Sequence, residues 1–382
     1  MSTGRGKDRG TVGSPADPAM VDGATVRGTP IAAARQRLQG HAEASRPRGA
    51  PFPRLFLLVV LLVVVAIAAL LVGAARIAPG RLFASLFHPA SADPTDHILL
   101  ELRLPRVVLG ALAGAALALS GTLLQAFFQN PMAGPYVVGV SSGAGLTAVA
   151  AMTLGFTFRR GPFDLVALAA FGGGIGSVVL VYALARRIRF LQSEGLLLIG
   201  IAVGAVFSAL TSVFLVFSRD GIQAALMWML GTFSAAEWSK VWVLLGALVV
   251  GGAGSLWLGR DLNLLLWGDD VAQSLGCPVR AVRRWILILS SLLAAASVAA
   301  CGVVGFVGLM VPHLARGFLR TADHRYVLPG SALLGAILTV VADTLARTVA
   351  APLELPVGAV TSALGAPFLV WLVVRRHRRV EG

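Results

Sequence analysis

The chain has 382 residues, 57% of them hydrophobic and only 13% charged, with a net charge of +14 and a mean hydropathy of +0.81. No ordinary soluble domain has this balance, and repeated apolar runs of about 20 residues are what crossing ~30 Å of hydrocarbon requires. The class that follows is all-α: a polytopic transmembrane bundle. An excess of cations would suggest nucleic acid in a soluble chain, but here no aromatic and basic surface supports it, and nucleic-acid binding is set aside.

Residues 1–54 are rich in Gly, Pro, Ala, Ser and Arg without apolar periodicity, which predicts a disordered basic tail able to touch anionic lipid. The apolar run at 55–75 is too long, and its polar leader too extended, for a cleaved signal peptide. Of the 32 Lys and Arg, 9 lie in residues 1–54, 14 in loops and ends that an alternating topology places on the same side, and 9 on the other. That asymmetry puts both termini in the cytoplasm.

After the first span an outside segment ends in ELRLPR, with Arg103 and Arg106 just before span two at 107–128. Gly110 and Gly114 there have the spacing that lets helices approach closely. QNPMAGPYVVG breaks the chain before span three, which ends near 156. Span four follows at 163–185, and the polar loop RRIRFLQSEG leads to span five at 196–217. Residues 218–238 read as a short outside helix, and span six covers 241–258. Spans seven and eight, at 285–301 and 307–319, are joined by GVVGFVG. Span nine covers 331–349. APLELPVGAV predicts an outside half-helix before span ten at 360–374. The count is about ten, in a permease domain over 55–382.

The longest polar passage after the tail is WGDDVAQSLGCPVRAVRR, residues 267–284. It reads as two short helices over 269–284. Asp269 is a candidate N-cap, Asp270 favours the positive end of a helix, and Gly276 sits where a left-handed C-cap would end it. Pro278 is placed to open the second helix, which closes on Arg280, Arg283 and Arg284. Val271 and Leu275 form its apolar face; Asp270, Ser274 and Arg280 are the side chains expected to touch a partner.

No triad, carboxylate pair or metal spacing appears, Cys277 and Cys301 form no redox motif, and no phosphate-binding loop exists. The chain therefore reads as a non-enzyme without a cofactor of its own. If ATP and magnesium drive it, another subunit binds them. Asp343 and Arg347 in span nine are spaced for an intramembrane ion pair. An ion-coupled secondary transporter using Asp343 is the alternative they raise; a self-neutralised pair is the plainer reading. His313, after Pro312, is more readily a structural group than a ligand.

ELRLPR, QNPMAGPYVVGVSSGAG, QSLGCPVR, GVVGFVGLMVPHLARGFLRTADHRYVLPGSALLGA, ADTLAR and LELPVGAVTSALGAPFLVWL, spread over about 55–375, resemble the permeases of type II bacterial ABC importers. These FecCD-like subunits serve ferric siderophores, haem and cobalamin. The resemblance implies a ten-helix subunit of a bacterial cell membrane. Its partners would be a second permease, identical or homologous, two ATP-binding subunits and an extracytoplasmic substrate-binding protein. It makes the knuckle at 269–284 the element gripped by the ATPase, with Asp270, Val271, Ser274, Leu275, Gly276 and Arg280 as its coupling residues. It gives Arg103, Arg106 and Arg347 the docking of the binding protein, and Gln192 and Ser193 a cytoplasmic gate. Glu194 and the loop length depart from the family pattern at that gate. A ferric siderophore is the first cargo this implies, haem or cobalamin the second.

Overall fold

The computed structural model describes residues 51–73, 77–87, 93–156, 159–160, 163–187, 193–218 and 221–378. The expected tail lies outside the described residues except for 51–54, which already belong to the first helix. Among the described residues, seven helices are long and apolar enough to cross a membrane, and three shorter apolar ones bring the set to ten.

The helices run α1 Pro51–Leu71, α2 Pro79–Phe87, α3 Pro94–Phe128, α4 Val140–Thr153, α5 Leu165–Arg187, α6 Ser193–Phe217, α7 Ile222–Met229 and α8 Trp238–Trp257. After these come α9 Gly259–Leu265, α10 Asp269–Ser274, α11 Val279–Cys301, α12 Val307–Leu319, α13 His324–Thr348 and α14 Val357–Arg378. The only strands among the described residues, Arg159–Arg160 and Phe163–Asp164, pair antiparallel between α4 and α5.

The bundle is built around α3. In its apolar stretch 83% of the residues are buried, against 17% in α1. It packs against α13, α11, α12 and α8, and small residues permit this. A methyl group at Gly114 would overlap the Gly335 carbonyl of α13, and one at Gly121 the Gly308 carbonyl of α12. Backbone meeting backbone is the close approach that maximises dispersion contacts where lipid supplies no hydrophobic drive. Gly110 is looser, because a methyl there would stand 3.7 Å from Phe233. Its carbonyl accepts the Thr339 hydroxyl at 2.7 Å. Sequence spacing therefore found one of the tight contacts and missed Gly121, whose partner lies 187 positions away in the fold's own arrangement of α12.

Several boundaries move from where the sequence placed them. Span two begins at Pro94, because Asp93 caps it through a 2.8 Å bond from the Thr95 amide, and a six-residue π-helical turn, Ile98–Arg103, carries the helix into the RLPR motif. The half-helix expected from APLELPVGAV is absent: residues 349–353 form turns, 354–356 are irregular, and helix starts only at Val357. The short helix expected within 218–238 is α7. Both cysteines are buried and free.

Candidate coupling surface and arginine cluster

At one end of the bundle α9 and α10 fold back on the long helices. The knuckle differs from its expected shape in two respects: residues 279–284 are not a separate helix but the first turns of α11, so the two short helices are α9 and α10, and the cap position shifts by one residue. Gly268, not Asp269, precedes α10. Gly276 does adopt the left-handed conformation, at φ +84°. Its amide donates to Gln273 O at 3.0 Å and that of Cys277 to Ala272 O at 3.0 Å. This paired closure of the last carbonyls fixes where the helix stops.

Burial separates the faces of the knuckle. Ala272, Cys277 and Val282 turn inward, while Asp270, Gln273, Ser274, Leu275, Gly276 and Arg280 are exposed and Val271 is half-buried. Leu275 is thus an exposed apolar side chain on a polar cap, not part of an inward face. Burial first, and then the Asp261 carboxylate, hold the Cys277 thiol above its usual range, so it stays protonated.

What sequence reasoning missed is how the knuckle is tied down. The Asp269 carboxylate lies 2.8 Å from Arg283 Nη2 of α11 and 3.3 Å from Gln129 Nε2. Gln129 ends α3 in a left-handed conformation, φ 49°, and also donates to Leu265 O of α9. Arg283 stacks over the Phe127 ring at 5.1 Å. Side-chain contacts therefore tie α10 to α3 and α11, the two most buried long helices. The signal available in the sequence was only that Asp269 and Arg283 lie in the same polar stretch.

A second polar cluster sits at the opposite end. Arg106 donates to both oxygens of Asp343, at 2.9 and 3.1 Å, and reaches Glu354 at 3.0 Å. Arg347 Nε stands 3.3 Å from Asp343 Oδ2, off hydrogen-bond geometry, so the expected pair exists as the weaker half of a triad. Arg347 Nη2 also donates to Ala69 O at 2.9 Å, and Arg103 to Leu70 O at 2.7 Å. These two arginines close the last carbonyls of α1, where cations are favoured. Arg103 is buried, and of this group Glu354 and the rim of Arg106 are what reaches the surface. The Asp343 carboxylate is thus paired with two guanidiniums of its own chain, the arrangement of a self-neutralised cluster.

Gln192 lies outside the described residues. Ser193 opens α6, and its side chain is not described. The His313 ring packs edge-on against Phe368 at 6.0 Å. Among the described residues no group of His, Cys, Asp or Glu could hold a metal ion.

The profile of the FecCD transport family matches residues 61–375. The hemin transport system permease protein of Yersinia pestis is 39% identical over 338 residues, covering 86% of this chain and 98% of the relative. The Halobacterium salinarum cobalamin import system permease protein is 44% identical over 282 residues, 74% of each chain. The Escherichia coli Fe(3+) dicitrate transport system permease protein FecD is 40% identical over 279 residues, 73% of this chain and 86% of that one. Among solved structures, a metal-chelate type ABC transporter in an inward-facing conformation aligns with a TM-score of 0.73 at 31% identity, covering 84% of this chain and 98% of that one. With most of its bundle and all of its knuckle and quoted motifs inside the matched range, the chain belongs to the FecCD transport family of ABC permeases, a membrane transport component.

Proposed function

We propose that this chain is the permease subunit of an ATP-driven importer that carries a metal chelate, a ferric siderophore first, from an extracytoplasmic binding protein into the cytoplasm. The observation that carries the reading is the knuckle: an exposed cap over 270–280 wired through Asp269 to α3 and α11. Such a wire converts a rigid-body push by an ATPase into helix movement. Haem is the second cargo, favoured by the hemin relative that matches nearly its whole length. The ATPase, in two copies, holds the ATP and magnesium. The knuckle end, with both termini, faces the cytoplasm of a bacterial inner membrane. Apolar faces left open on α6 and α8, such as Ile201, Val213, Val249 and Trp257, suit lipid and a second permease copy. Gln192 and Ser193 remain proposed for the gate.

The coupling role is tested by enlarging Gly276. Gly276 is exposed and a Cβ there meets no atom of the chain within 4 Å, so a larger side chain starts from open space, with backbone strain of about 1–2 kcal/mol. Gly155 has the same left-handed strain, φ +76°, and the same open space far from the knuckle. In reconstituted vesicles, Gly276→Trp should abolish ATP-driven uptake of a labelled ferric siderophore while the ATPase stays bound; Gly155→Trp should transport normally. Equal uptake in both would remove the knuckle from coupling.

Docking is proposed at the opposite end, at Arg103, Arg106 and Arg347, where a cation brought to the surface would steer an acidic partner. As the side chains stand, Arg106 is the one able to turn outward, by exchanging Glu354 for a carboxylate of the binding protein. Glu354→Gln should then tighten docking several-fold and Arg106→Glu should weaken it, read by surface plasmon resonance on the purified complex. If neither substitution moved the affinity, docking would lie elsewhere.

A further inference from the structure

The crossing of α8 and α11 has a closed side and an open one. On the closed side the helices meet tightly: a methyl at Gly254 would stand 2.8 Å from Leu289 Cδ2, and one at Gly251 2.6 Å from Leu293 Cδ2. On the open side Trp257 and Trp285 pack edge to face with ring centroids 6.5 Å apart, yet they stay 71% and 45% exposed. Val250, seven residues before Trp257, and Ile288, three after Trp285, continue the exposed strip away from the knuckle end.

Three arginines surround the knuckle end of this strip. Arg284 precedes Trp285, Arg260 lies three residues past Trp257, and Arg325 Cγ would stand 3.8 Å from a methyl on Gly259, the neighbour of Arg260. All three are exposed, and among the described residues none has a carboxylate within 4.0 Å. The acids nearby in sequence are committed elsewhere. Asp261 faces the Cys277 thiol, Asp269 is held by Arg283, and Asp323 accepts from Asn263 Nδ2 at 2.6 Å and from the Arg325 amide at 2.9 Å. Membrane topology asks only that cations lie on this side; it does not ask three of them, from α9, α11 and α13, to gather at one exposed indole pair. Unpaired cations, then indoles, then aliphatic side chains repeat the order of a phospholipid: phosphate, interface, acyl chain.

We infer that this strip is a binding site for one anionic phospholipid of the cytoplasmic leaflet. Arg260, Arg284 and Arg325 receive its phosphate, and an acyl chain lies along Trp257, Val250 and Ile288. A headgroup shared by α9, α11 and α13 braces the base of the knuckle from the lipid side. The leaflet rests on the proposed orientation of the knuckle end; the binding itself does not, so its failure would leave the importer reading standing.

The test is native mass spectrometry of the detergent-purified permease, alone and with its ATPase, titrated with phosphatidylglycerol or with phosphatidylcholine of the same acyl chains. One phosphatidylglycerol should be retained about tenfold or more tightly than phosphatidylcholine in both preparations. Each guanidinium near the phosphate is worth roughly fivefold, so Arg260→Gln with Arg284→Gln should weaken phosphatidylglycerol about twentyfold and erase the preference. Arg186→Gln with Arg187→Gln removes the same charge from the end of α5 and should leave the preference intact. Exposed, unpaired arginines hold no part of the fold together, so both double variants should melt with the wild type. Four results overturn the site: no preference in the wild type, a preference that survives the loss of Arg260 and Arg284, an equal loss from the α5 pair, or a preference that vanishes when the ATPase binds. The third would reduce the effect to diffuse charge, and the fourth would assign the arginines to the ATPase.

Discussion

Asp343→Ala is expected to destabilise the folded chain by about 3–5 kcal/mol, the cost of stranding buried charges, and so to remove a large share of a stability that is typically about 5–15 kcal/mol. The Arg106 and Arg347 side chains are 11% and 8% exposed and Asp343 only 3%, so solvent cannot replace the lost carboxylate. Arg106 would keep only Glu354, and Arg347 only the Ala69 carbonyl and a 3.4 Å contact to Thr344 Oγ1. The effect should spread, because these residues join α1, α3 and α13 at one end of the bundle. Heating the detergent-purified variant and reading the folded fraction by fluorescence-detected gel filtration gives the number. Replacing all three members together, Asp343→Leu with Arg106→Met and Arg347→Leu, should recover most of the stability, since a well-packed apolar set often matches a buried ionic one. Wild-type melting of the single variant would show that the cluster is solvated and carries no structural weight.

Gly121→Ala is expected to be as damaging although it adds one methyl group. That methyl would overlap the Gly308 carbonyl, and from the other side a methyl on Gly308 would stand 2.6 Å from Leu117 O. Backbone cannot rotate away as a side chain can, so α3 and α12 must separate along their crossing. Overpacking of this kind costs about 1–3 kcal/mol or more, and lost contacts along the crossing add to it. Gly145→Ala in α4 is the control, because a Cβ there meets nothing within 4 Å and alanine is the better helix former. The same gel-filtration assay should show Gly145→Ala melting at or above wild type and Gly121→Ala well below it. Equal melting would mean that the close crossing is not a feature of the folded protein.

The ten helices were legible because each is an apolar run, seven of them long and three shorter, and the place of Gly276 because a glycine following a short polar helix has few other reasons to be there. Polar residues inside helices were read less well. Arg103 and Arg347 look from sequence like outward-facing cations, yet the end of α1 passes beside them and offers Ala69 and Leu70 carbonyls. Nothing local signals that, since the partners are more than 30 residues away. The same holds for Gln129, whose contact to Asp269 spans 140 positions, and for the Asn263 to His324 network beneath the knuckle. Helix ends were misplaced where a cap or a π-turn extended a helix into polar sequence, as at Pro94, and where a short helix ran straight into a span, as at Val279. Apolar periodicity reports what is buried in bulk; it is silent on which of two polar neighbours a turn will bring together.

The most direct measurement is uptake of a labelled ferric siderophore into vesicles containing this permease with its binding protein, with and without the ATPase. Uptake that requires both the ATPase and hydrolysable ATP, and that Gly276→Trp abolishes with the ATPase still bound, is the expected result. Uptake driven by an ion gradient in vesicles holding this chain alone would contradict it.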